Sequence, residues 1–81
     1  MDHRTKLQQQ IDLLTAEIDE NPSAEGHIIR GKLHYQAGEF DTALNDFIRA
    51  RQLEPDNAEA GEYIRMVSEI FEFRYKDLYN P

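Results

Sequence analysis

Three side chains on one stretch could act together: His27, Arg30 and His34, separated by three and then four residues. That spacing puts all three on one face of a helix. Two imidazoles two turns apart could reach a common ligand. A zinc site, however, needs about four donors, and its histidine pairs are commonly about three to five residues apart. Glu39 and Asp41 could add carboxylates, but nothing in the sequence fixes either beside the imidazoles. The simpler reading is structural, with the imidazoles stacked on Phe47 or facing solvent. A more remote hypothesis is a metal- or pH-responsive regulator, whose helix contacts loosen below about pH 6.5 as the histidines charge. Melting His27→Ala beside the intact chain on either side of that pH tests it. Other chemistry finds no residues to carry it: there is no nucleophile elbow, no glycine-rich phosphate loop and no cysteine. Helical surfaces always supply carboxylates, so paired acids carry no catalytic signal. The expectation is a non-enzyme with no cofactor and no metal.

The elements that must position these residues belong to a chain of 81 residues, enough for one domain. A chain this short buries roughly 60% of the surface its unfolded form exposes, so its core is thin. The absence of cysteine removes disulfides and thiolate metal sites, and it agrees with a reducing compartment. No secretory signal is visible behind Met1, and no apolar run approaches the roughly 20 residues of a membrane span. A cytoplasmic protein is expected. Sixteen acidic residues against nine basic ones give a net charge of −7. The nine cations are spread along the chain and interleaved with acids, so nucleic acid is not an expected partner. The acidity reads as a solvated surface that keeps a small domain soluble.

Helical periodicity recurs four times and strand alternation is missing. Leu7, Ile11, Leu14 and Ile18 form one apolar stripe, which Asn21-Pro22 ends because a residue before proline is driven out of the α region. Ser23 can cap a second helix carrying Ile28, Ile29, Leu33, Tyr35 and Ala37, and Gly38 stops it. Asp41 is the expected N-cap of a third helix, whose inner face is Ala43, Leu44, Phe47, Ile48, Ala50 and Leu53. Pro55 ends it, Asp56 or Asn57 can cap the fourth, and that last helix runs from about Ala58 to Tyr79. Loops of two to four residues force neighbouring helices antiparallel.

Within this pattern Gly31, Gly38-Glu39-Phe40, Ala43-x3-Phe47-x2-Ala50 and Pro55 stand at fixed spacing over residues 24–57. Small residues lie where two helices must touch, and an aromatic lies where they need filling. The unit resembles the tetratricopeptide repeat (TPR), a helix–turn–helix of about 34 residues whose copies stack into binding scaffolds. The match is partial. The family's Trp-x2-Leu-Gly-x2-Tyr stands here as His27-x2-Arg30-Gly31-x2-His34, and only the glycine agrees. The apolar residues move to Ile29, Leu33 and Phe40, which should turn the stripe of the second helix towards the first. Residues 1–22 read as an N-terminal capping helix and 58–81 as a long C-terminal one. The expected fold class is all-α, four antiparallel helices in a right-handed-twisting TPR-like array. The start methionine and tapering final helix suggest a complete chain.

The resemblance implies a protein-interaction module, a small adaptor or scaffold. By the same resemblance the inner, partner-binding face would carry Glu25, Ile28, Lys32 and Tyr35, continued by Glu62, Met66 and Glu69; the competing reading folds this face into the core. A second surface is the aromatic end of the last helix. Phe73, Tyr75, Leu78 and Tyr79 cannot all share one stripe, and such clusters favour interfaces. Here the alternative function is a homodimeric assembly element, unless the tyrosines merely anchor the helix end. Substituting Tyr35 and Met66 should damage the first function, and Phe73 and Leu78 the second.

Overall fold

A computed structural model describes the backbone of residues 3–79 and the side chains of residues 4–73. The fold is all-α: α1 (His3–Glu20), α2 (Ala24–Gln36), α3 (Phe40–Leu53) and α4 (Ala58–Tyr79), with no strand among the described residues. Each boundary has a local cause. α1 ends two residues before Pro22. The Ser23 hydroxyl caps α2 by accepting the Gly26 N–H at 3.0 Å. At the other end of α2, Gly38 takes a φ of +80°, open to glycine and strained for other residues. This lets the Glu39 N–H reach the His34 carbonyl at 2.9 Å and the Gly38 N–H reach the Tyr35 carbonyl at 3.0 Å. Both bonds together are the Schellman closure of a helix C-terminus. Asn57 caps α4 by accepting the Ala60 N–H at 2.9 Å.

The expected cap of α3 is corrected. The helix starts at Phe40, two residues earlier than a cap at Asp41 implies, with Glu39 at the N-cap position and no side-chain bond there. Asp41 lies inside the first turn and accepts the Thr42 N–H at 3.0 Å. Phe40 begins the helix because its ring meets Tyr35 edge-on, with centroids 5.3 Å apart. Packing thus overrides the capping preference by two residues.

Helices pack in chain order: α1 on α2, α2 most extensively on α3, and α3 on α4. Each outer helix covers one member of the central hairpin, within Cα extents of 46 × 38 × 15 Å. The core joins Ala24 and Ile28 of α2, Ala43, Phe47 and Ala50 of α3, and Ala60 and Val67 of α4. Phe47 is its centre, fully buried, with one side of its ring over Gly31 and a Tyr63 stacking partner 4.7 Å away. Three helices therefore meet through one ring. α1 adds Leu7, Ile11 and Ile18 as its buried stripe, while Leu14, expected with them, is only half-buried. Its last turn holds acids and no base, the wrong sign for the helix dipole, so packing rather than propensity holds that end. Leu53, expected in the core of α3, is instead 44% exposed at the helix end.

Candidate functional site

The face carrying His27, Arg30 and His34 turns towards α3, where Asp46 meets it. Asp46 lies on the same stripe as Ala43 and Ala50 and is 4% exposed. Arg30 grips it in a fork, Nε donating to Oδ2 at 2.9 Å and Nη2 to Oδ1 at 2.7 Å. A third Arg30 nitrogen, Nη1, donates to the Thr15 hydroxyl of α1 at 3.1 Å. His27 Nδ1 sits 3.0 Å from Asp46 Oδ1. His34 Nδ1 lies 2.8 Å from Glu39 Oε1, and its Nε2 is 3.9 Å from Asp46 Oδ2. The hydrogen bond to Asp46 holds the Arg30 guanidinium above its ordinary range, against the opposing effect of partial burial.

This cluster is a clamp across α1, α2 and α3. A buried carboxylate is tolerable only when paired and hydrogen-bonded, and Asp46 is both. The cation position beside it is filled by Arg30, which would repel a metal ion from the same oxygens. The expected surroundings of the imidazoles are therefore corrected. His27 is buried against Asp46 instead of facing solvent, and both histidines turn to carboxylates. Asp46 escaped the sequence reading, although a signal was there. An acid on the buried stripe of α3 opposite two histidines and an arginine is a matched set.

A second place is open to solvent. Tyr35 of α2 and Met66, Glu69, Ile70 and Phe73 of α4 line a shallow apolar groove. Phe73 is 67% exposed and Met66 41%. The spacing of the α4 residues, three or four apart, makes them one stripe of that helix. Tyr35 lines the groove from α2, its ring against Phe40 of α3.

The residues expected on the inner face divide. Tyr35, Met66 and Glu69 come together in this groove. Lys32 bonds Glu59 at 2.9 Å and stands 5.4 Å from the centre of the Tyr63 ring. The hydrogen bond to Glu59 raises the Lys32 amine above its ordinary value. Glu25 and Glu62 are exposed. Ile28 is corrected: at 3% exposure it belongs to the core, because its side of α2 faces Phe47 and Ala43 rather than solvent. The two expected surfaces also merge in part, since Phe73 shares the groove with Tyr35 and Met66. Substitutions at Phe73 and at Met66 therefore no longer separate docking from self-association. Tyr75, Leu78 and Tyr79 lie outside the residues whose side chains are described.

A further apolar groove was not foreseen. Leu13 and Leu14 of α1 face Ile29 and Leu33 of α2 between Gln10 and Glu17. Ile29 and Leu33 do turn towards α1, but α1 leaves Ile29 40% and Leu13 70% exposed. No described helix is both long and apolar enough to cross a membrane. Comparison with protein-family models, with curated proteins and with solved structures finds no match for this chain.

Proposed function

We propose that this chain is a non-enzymatic protein-interaction module, a TPR-like adaptor that docks a partner peptide or helix in the groove between α2 and α4. The observation that carries the reading is the apolar stripe of exposed Met66 and Phe73 with half-buried Ile70 between them, facing Tyr35. Water gains by release from such a stripe, and an amphipathic segment with apolar residues three and four apart would fill it. The ring of Phe47 on Gly31 and the closure at Gly38 support the tetratricopeptide-like assignment, because the family's small residues serve that contact and that turn. Cytoplasmic residence belongs to the same reading, on the absence of cysteine from the chain.

A second reading is favoured by Phe73, whose exposure suits a symmetric contact between two copies. Two measurements separate them. Light scattering over a concentration series gives 9.5 kDa throughout for a docking module and twice that value for a dimer. Selection of displayed peptides on the immobilised full chain, repeated on Phe73→Ser, asks whether the groove binds segments. Peptides that bind the intact chain and not the variant support docking; indifference to Phe73→Ser ends it. Phe73 is 67% exposed, so the variant should stay folded, which circular dichroism checks.

A further inference from the structure

We propose that the partner of this groove is a cationic amphipathic helix, its apolar anchors flanked by lysine or arginine. The inference rests on the docking reading above and names the chemistry of the occupant. Glu62, Met66, Glu69, Ile70 and Phe73 follow one another at helical spacing along the open side of α4, so the apolar stripe carries carboxylates within it. Glu62, Glu69 and Glu72 are all exposed, and among the described side chains none of them makes an ion pair. Arg65 lies beside Glu62 and Glu69 and is the one cation among the described side chains on that side of α4. Across the groove the Lys32 amine is already held by Glu59 at 2.9 Å. The rim therefore offers unspent negative charge around an apolar floor.

A second copy is a poor occupant by the same reasoning. A symmetric contact would set the acidic edge of α4 against itself, between chains of net charge −7. A basic helix meets no such repulsion. From Glu62 to Phe73 the edge is about 16 Å long at 1.5 Å per residue, which matches roughly three turns of a partner helix.

The peptide selection decides the point when its winners are sequenced and one is synthesised. Its affinity for the full chain is then measured by fluorescence anisotropy. The expected winners carry apolar residues spaced by three and four with Lys or Arg beside them. Glu62→Lys combined with Glu69→Lys should weaken the synthetic peptide by about 3- to 10-fold at low salt and less at high salt, as screened rim charges do. Phe73→Ser should abolish its binding. Winners that need Phe73 but are neutral or acidic would overturn the charge assignment and leave the docking reading standing. Winners indifferent to Phe73→Ser would overturn both. A chain that scatters light at twice 9.5 kDa, and returns to 9.5 kDa as Phe73→Ser, has a second copy in the groove and overturns the proposal.

Discussion

Adding one methyl group at Gly31 tests the centre of the fold. A Cβ there would stand 2.6 Å from Cε1 of Phe47 and 2.9 Å from both Cδ1 and Cζ. Ordinary carbon contacts lie at about 3.5–4.0 Å, so something must move by roughly 1 Å. The ring has little room to move. It is fully buried, and Tyr63 stacks on it at 4.7 Å, so its retreat displaces α4. Overpacking of this kind costs about 1–3 kcal/mol. Against it stands the gain from replacing a helical glycine, about 0.5–1 kcal/mol. Gly31→Ala should therefore destabilise by up to about 2.5 kcal/mol. Gly61 of α4 is the control, since its Cβ would meet nothing within 4 Å. Gly61→Ala keeps only the helical gain and should stabilise by about 0.5–1 kcal/mol. In a domain of this size each kcal/mol moves the melting temperature by about 4–8 °C, so the two variants should melt on opposite sides of the intact chain. Thermal circular dichroism and urea titration read both. A second arm isolates the contact: in a Phe47→Leu background the added alanine at Gly31 should cost less or become stabilising, because the clashing ring is gone. If Gly31→Ala stabilises as Gly61→Ala does, α2 and α3 do not approach as closely as the argument requires.

Two further predictions concern the helix contacts. Asp46→Ala leaves the Arg30 guanidinium and His27 without their acceptor and should cost about 2–4 kcal/mol, whereas Asp46→Asn, which keeps an acceptor oxygen, should cost less; urea midpoints measure the order. Ser23→Ala removes the one side-chain cap of α2 and should cost about 1 kcal/mol, while Ser23→Asp should restore most of it.

Much of the α-helical plan was legible because its causes are local. Asn21-Pro22, Ser23, Gly38 and Asn57 act on backbone groups within a few residues, so the boundaries of α1, α2 and α4 follow from short stretches of chain. The stripe of Leu7, Ile11 and Ile18 and the small residues Gly31, Ala43 and Ala50 are likewise visible as spacing. The start of α3 falls two residues before the one a cap at Asp41 implies, because Phe40 is held by Tyr35, a contact the capping preference does not contain.

Spacing along one helix fixes which residues share a face and leaves open which way that face turns. The rotation of α2 is decided by Phe47 seating on Gly31, and it buries Ile28 while leaving Tyr35 at the groove edge. The same rotation aims His27 and Arg30 at Asp46, 19 and 16 residues away in the chain. The placing of α4 then sets Phe73 beside Met66 on one surface instead of two. The sequence by itself thus determined the helices, the caps of α2 and α4 and the close hairpin of α2 and α3. Only the tertiary structure decided which polar residues pair and which apolar residues stay open, because those depend on the mutual rotation of packed helices.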